Sequence, residues 1–146
     1  MMDFNRKLKI LVLGDSRVGK TTFVHALCHN QVINDPPWTL GCNIEIKILE
    51  DVNEPNNQVF LEFWEVGGSI SYEKSRSVFF KNCDGILLIY DTNNNSTQKS
   101  LDNWLSEVYE EMGLVTTSGS NDSYKIPTLV VGTKITNRKI FPVLCE

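Results

Sequence analysis

Residues 14–21 read Gly14-Asp15-Ser16-Arg17-Val18-Gly19-Lys20-Thr21, which fits the pattern G-x-x-x-x-G-K-[ST] completely. An apolar run that predicts a buried strand, residues 8–13, comes directly before them, and a predicted helix runs from residue 20 to about residue 30. Phosphates need many short-range donors, and a glycine-rich loop that leads into a helix supplies them from backbone N–H groups. Lys20 adds a positive charge for terminal phosphates, and the Thr21 hydroxyl is a ligand for Mg²⁺. These residues therefore predict a nucleotide phosphate site.

Arg17 is unusual within this loop, because small side chains are more common there. Its long cationic side chain could reach a phosphate, or it could project to solvent. We favour projection to solvent.

Two predicted strands follow the first helix. Cys42, Ile44, Ile46 and Ile48 alternate with polar residues, which predicts a half-buried strand. A turn signal at residues 54–57 precedes a second alternating run, 59–63, so the two strands are expected to form an antiparallel hairpin.

The second half of the chain alternates between strand and helix. Residues 85–91 and 126–132 read as buried strands, and polar residues 92–96 are suited to cap a helix that follows them. Trp104 and Met112 lie on that helix at core spacing. The pattern predicts an α/β fold in three layers, with a mostly parallel sheet and one antiparallel hairpin.

Composition limits the class of protein. The 146 residues suffice for one domain, and 41% hydrophobic residues can form a core. The net charge of −4 disfavours a general nucleic-acid binder. We find no apolar run of membrane-spanning length and no signal peptide, and the four cysteines form no Cys-x-x-Cys pair. A cytoplasmic protein with reduced thiols is expected.

His25 and His29 are four residues apart on the first predicted helix. That spacing can hold zinc, but the glutamate of the H-E-x-x-H pattern is absent. The sequence alone therefore disfavours a metal site here.

Three further segments carry a family resemblance: Trp38-Thr39-Leu40-Gly41-Cys42, Phe63-Trp64-Glu65-Val66-Gly67-Gly68-Ser69 and Val131-Gly132-Thr133-Lys134. Together with the loop they are similar, in order and spacing, to the Ras-superfamily small GTPases, and more narrowly to their Rab-like branch. The resemblance runs from about residue 8 to about residue 134. It implies a P-loop NTPase fold, GTP or GDP and Mg²⁺ as ligands, and effector or regulator proteins that bind near Thr39 and residues 65–80.

The resemblance also implies individual roles. Thr21, Thr39 and, through a water, Glu65 are implied to hold Mg²⁺, and Gly68 to sense the γ-phosphate. The residues implied to bind nucleotide are Asp15, Ser16, Arg17, Val18, Gly19, Lys20, Thr21, Thr22, Thr39, Gly68, Thr133 and Lys134.

Three positions depart from the family pattern. Glu65 replaces the usual aspartate, which should weaken the organisation of Mg²⁺. Ser69 stands where a glutamine usually orients the attacking water, so no catalytic residue is assigned and hydrolysis should be slow. Thr136 replaces the aspartate that reads guanine, which should lower the preference for that base.

The resemblance stops after Thr136. We expect an incomplete domain at residues 1–136, without the last strand and last helices of the family, and a divergent tail at residues 137–146. Loss of those helices should expose one face of residues 8–13 and leave the fold either marginally stable or dependent on a partner. The chain does not end in a prenylation motif, so no anchor is expected.

Three functions stay open from the sequence. The first is a GTP-binding switch in trafficking or signalling, with slow or absent hydrolysis. The second is a non-catalytic interaction scaffold with weak or no nucleotide binding. The third is a fragment without independent function.

Overall fold

Strands and helices alternate along the chain, as the sequence predicts. The computed structural model describes residues 6–50, 58–114 and 126–135. The strands are β1 (Arg6–Leu13), β2 (Cys42–Glu50), β3 (Gln58–Val66), β4 (Gly85–Asp91) and β5 (Thr128–Thr133). The helices are α1 (Lys20–His29), α2 (Glu73–Arg76), α3 (Asn95–Lys99) and α4 (Leu101–Glu111), with 3-10 turns at Ile70–Tyr72 and Ser77–Phe79. Within the described ranges, no helix has both the length and the apolar character needed to cross a bilayer.

The five strands form one sheet in the order β2-β3-β1-β4-β5. β1 pairs in parallel with β3 and β4, β4 pairs in parallel with β5, and only the β2–β3 pair is antiparallel. This confirms the predicted mostly parallel sheet with one hairpin. The segments that follow β1, β3, β4 and β5 all leave the same edge of the sheet, where parallel sheets bind ligands.

Apolar cores lie on both faces of the sheet. One cluster includes Val24 of α1, and the other includes Trp104 and Val108 of α4. Leu11, Val12 and Leu13 of β1 are completely buried between them. The expectation that this strand would be exposed on one face is therefore wrong for residues 11–13, because α1 and α4 each supply cover.

β2 has the predicted period of two, but its apolar face is the exposed one. Ile44, Ile46 and Ile48 are 46%, 51% and 52% exposed. Glu45 and Lys47 instead turn towards α1, where Lys47 Nζ donates to the Leu27 carbonyl at 2.6 Å. The strand is therefore half-buried through its polar face, because the last turns of α1 present polar groups to it.

Smaller differences concern the ends of elements. β5 begins at Thr128 instead of residue 126, because Pro127 has no N–H to donate and only its carbonyl joins the sheet, accepting from Ile86 N at 2.9 Å. Asn94 caps α3 by accepting from Ser96 N at 3.1 Å. The predicted turn at 54–57, Thr136 and the tail at 137–146 lie outside the described residues.

Candidate functional site

A cavity of about 600 Å³ opens at the edge of the sheet where β1 and β3 end. The loop before α1, the segment before β2 and the residues after β3 line it. The predicted site residues that line it are Ser16, Arg17, Gly19, Lys20, Thr21, Thr22, Thr39, Glu65, Gly68, Ser69 and Lys134. Asp15, Val18 and Thr133 do not reach its surface.

The loop before α1 depends on two glycines with positive φ. Gly14 has φ 146°, and a Cβ there would collide with the Ile89 carbonyl. Gly19, with φ 97°, is the residue immediately before α1. Only glycine adopts these angles readily, so the chain can turn sharply from β1 into the helix.

Lys20 lies under this loop. Its ammonium group donates to the carbonyls of Gly14 and Asp15, both at 2.8 Å, and its side chain is buried. Burial lowers the pKa of Lys20 from 10.5 to about 8, although Glu65 and Asp15 partly oppose the shift. A nucleotide phosphate would bring the negative charge that this buried cation lacks.

Three predicted site residues, two in the loop and one at the end of β5, support the loop from below. The Asp15 carboxylate accepts from Ser100 Oγ at 2.7 Å and from the Trp104 indole N–H at 2.9 Å. Val18 belongs to the core below α1, and the Thr133 hydroxyl contacts its carbonyl. The side chains of these residues are therefore directed away from the cavity, so any direct contact of Asp15 or Val18 with nucleotide would come from the backbone.

Thr21, Thr39 and Glu65 converge at the wall of the cavity. Glu65 Oε1 accepts from Thr21 Oγ1 at 2.5 Å and from Thr39 Oγ1 at 3.0 Å. The second carboxylate oxygen, Oε2, is buried and accepts no hydrogen bond from any described residue. Hydroxyl and carboxylate oxygens are the ligands that Mg²⁺ prefers, so this set fits the ion. The extra methylene of glutamate brings its carboxylate into direct contact with both hydroxyls.

The residues after β3 close over the loop. Gly67 N donates to the Gly41 carbonyl at 2.8 Å, and a Cβ on Gly68 would lie only 2.5 Å from Ser16 N. Ser69 caps the following 3-10 turn, where its hydroxyl accepts from Ser71 N at 3.4 Å. Glycine is thus required at position 68 by close packing, and the Ser69 side chain is engaged locally.

Arg17 and Lys134 form the outer rim. The Arg17 side chain is exposed, as predicted, but its guanidinium lies 4.9 Å from the centroid of the Trp38 ring. Lys134 Nζ donates to the Arg17 carbonyl at 2.6 Å and to Asp91 Oδ2 at 2.8 Å. The hydrogen bond from Lys134 holds the pKa of Asp91 below its usual value. The Arg17–Trp38 contact was missed because nothing in the sequence pairs the loop with that segment.

A buried arginine on α2 was also missed. Arg76 Nε donates to Glu107 at 2.8 Å, and its guanidinium stacks over the Trp104 ring at 3.8 Å. Trp104 is buried, as its helical spacing predicts, yet it also touches Asp15 through its indole N–H. One tryptophan therefore connects the phosphate loop to α2.

Comparison with known proteins gives consistent matches. The family described as "Roc: Ras of Complex, Roc, domain of DAPkinase" matches residues 9–136. Rab-like protein 3 of Mus musculus is 38% identical, and that of Homo sapiens 35%, each over 88% of this chain and 61% of the relative. Small GTPase LIP1 of Arabidopsis thaliana is 31% identical over 88% of this chain and 41% of the relative. The chain thus spans about three fifths of the length of the Rab-like proteins it matches.

Proposed function

The chain belongs to the Ras-like small GTPase family, and on that premise we propose that it is a Mg²⁺-dependent guanine-nucleotide switch of the Rab-like type. The observation that carries the proposal is the convergence of Thr21, Thr39 and Glu65 beside the complete phosphate loop. Lys20 and the loop N–H groups bind the phosphates, and the two threonines and Glu65 hold Mg²⁺. The ion shields phosphate charge when it is bound.

Hydrolysis of GTP should be slow. Phosphoryl transfer depends on positioning the attacking water, and a glutamine normally does this in the family. Ser69 is shorter and its hydroxyl caps the 3-10 turn, so it cannot reach across the cavity. The switch would then stay in its GTP form for long periods unless another protein supplies the missing group.

Partners should bind beside the cavity, at Thr39 and residues 65–80. Trp38, Leu40, Ile70 and Val78 lie there and are 65–82% exposed. Apolar side chains grouped at a surface are typical of protein–protein contact. By family, the role would be in trafficking or signalling within the cytoplasm.

The test is to purify the 146-residue chain with Mg²⁺, denature it and identify the released nucleotide by chromatography. We expect GTP or GDP near one per chain. Lys20→Ala should abolish the bound nucleotide, whereas Lys81→Ala, at an exposed lysine, should not. A folded chain without bound nucleotide, and with no affinity for added GDP or GTP, would contradict the proposal.

A second candidate is a scaffold whose binding surface does not depend on nucleotide. It is favoured by Glu65, whose carboxylate accepts hydrogen bonds from both Thr21 and Thr39 and so joins them within the chain. The segment before β2 could therefore stay closed without metal or phosphate. If Lys20→Ala removes nucleotide but leaves the affinity for a partner unchanged, the scaffold function is the correct one.

A further inference from the structure

A cluster of metal-ligating side chains lies on α1 and β2, beside β2's polar face. His25 and His29 present their rings one helical turn apart, with ring centroids separated by 4.4 Å. Glu45 of β2 lies opposite them, with Oε1 3.5 Å from His25 Nδ1 and Oε2 3.0 Å from His29 Nε2. The strand thus supplies the acidic ligand that the helix sequence lacks.

We propose that His25, His29 and Glu45 form a zinc site that joins α1 to β2. The three ligand atoms all lie within 4.8 Å of one another. Zinc bonds of about 2.0–2.1 Å in tetrahedral geometry place neighbouring ligand atoms about 3.3 Å apart. The separations from His25 Nδ1 to Oε1 and from His29 Nε2 to Oε2 of Glu45, 3.5 and 3.0 Å, lie on either side of that value. They involve the two different carboxylate oxygens, so coordination of one ion would require the side chains to rotate towards a common centre.

The electrostatics of the cluster favour a cation. Glu45 Oε2 is buried, and among the described residues it faces His29 Nε2 at 3.0 Å. The nearest lysine on the same face, Lys47, donates instead to the Leu27 carbonyl. A buried carboxylate is costly unless its charge is compensated, and a divalent ion bound between it and the two imidazoles would supply that compensation.

The chemistry of the ligands selects zinc over magnesium. Two imidazole nitrogens and one carboxylate oxygen are typical zinc ligands, whereas Mg²⁺ prefers oxygen alone. Three protein ligands leave a fourth position for water. The His29 side chain is 50% exposed, so an ion can enter from solvent.

Zinc would stabilise the connection between two elements that border the cavity. α1 begins at Lys20 of the phosphate loop, and β2 begins three residues after Thr39. The ion would hold the end of α1 and the start of β2 together, and these two ends flank residues 30–41. The phosphate site lies at the first turn of α1, whereas His25 and His29 lie further along the helix, so the ion does not require nucleotide.

The test uses the metal-stripped 146-residue chain, with Mg²⁺ and GDP present in excess so that the other site is saturated. Co²⁺ serves as the optical probe and Zn²⁺ as its competitor. We expect one Co²⁺ per chain with the visible bands of a four-coordinate site, displaced by one equivalent of Zn²⁺. Zn²⁺ should also raise the thermal unfolding midpoint.

Variants identify the ligands. His29→Gln and Glu45→Gln should each weaken Zn²⁺ binding by more than about tenfold, because loss of even an outer-shell partner costs that much. Cys28→Ser, on the same helix, should leave it unchanged. Folding of each variant is checked by circular dichroism, and since His29 is half exposed, its variant should fold. Absence of Co²⁺ and Zn²⁺ binding in folded protein, or binding lost only with Cys28→Ser, would overturn the proposal.

Discussion

Raising the pH should weaken nucleotide binding, because Lys20 then loses its proton in the empty site. Burial lowers the pKa of Lys20 to about 8. Bound phosphates would raise that pKa again, so the complex keeps the proton at pH 8.5. Affinity then follows the fraction of free chain in which Lys20 is protonated, and it should fall about fourfold between pH 7 and pH 8.5. At pH 8.5, binding should take up about 0.8 proton per chain.

Titration calorimetry with GDP, in buffers of low and high ionisation enthalpy, measures both quantities at once. Lys20→Arg is the control, because arginine keeps its proton throughout this range. The GDP affinity of this variant should therefore not change between pH 7 and pH 8.5 through proton uptake at position 20. Equal heats in both buffers at pH 8.5, together with an unchanged affinity for the wild-type chain, would refute the reasoning.

The same pKa shift has a consequence for the nucleotide-free chain. Between about pH 8 and 10.5 the unfolded chain holds a proton on Lys20 that the folded chain has lost. The free energy of unfolding should therefore rise with pH in that interval, by up to about 3 kcal/mol from this group. Urea unfolding of the wild-type chain and of Lys20→Met, which lacks the titrating group, isolates the contribution.

Three further predictions concern neighbouring contacts. Glu65→Asp should withdraw the carboxylate from the threonine hydroxyls, so the nucleotide-free chain should lose stability. In the same variant Mg²⁺ should slow GDP release more strongly than in the wild-type chain. A titration of the release rate with Mg²⁺ measures this, and an unchanged titration would mean that Glu65 has no role. Trp104→Phe removes the indole donor to Asp15 and should cost about 1–3 kcal/mol in urea unfolding, whereas an unchanged midpoint would mean that the hydrogen bond is dispensable. Gly68→Ala places a methyl group 2.5 Å from Ser16 N, so thermal unfolding should shift down by the equivalent of about 1–3 kcal/mol, and an unshifted curve would show that the segment moves freely.

The phosphate loop and the sheet could be predicted because their signals are local. The loop pattern identifies Gly14 and Gly19 because the turn needs backbone angles that glycine adopts, and it identifies Lys20 because its ammonium group can reach the phosphates. Continuous apolar runs predict strands buried on both faces, and runs of alternating polarity predict strands buried on one face. The right-handed connections of such sheets then determine which face of the sheet each crossing helix covers.

The rest could not be predicted because it depends on contacts between distant segments. The alternation in β2 leaves open which face is buried, and Glu45 of the polar face meets His25 and His29 only once the sheet has formed. Arg17 meets Trp38, and Trp104 meets Asp15 89 residues earlier, only in the folded chain. A sequence read along one element shows which side chains share a face, but not what the neighbouring element brings to it.

The central position of β1 has a consequence during synthesis. Its first partner in the parallel sheet, β3, begins at Gln58, and its second partner, β4, begins at Gly85. Ile10 pairs with Gly85, which lies about 75 positions later in the chain. At about 5–20 residues per second, a ribosome needs roughly 4–15 s to make that interval. Throughout it, the apolar residues 10–13 have no neighbouring strand on that side. Chaperones that hold nascent apolar segments should therefore meet this chain early, at the strand that leads into its phosphate loop.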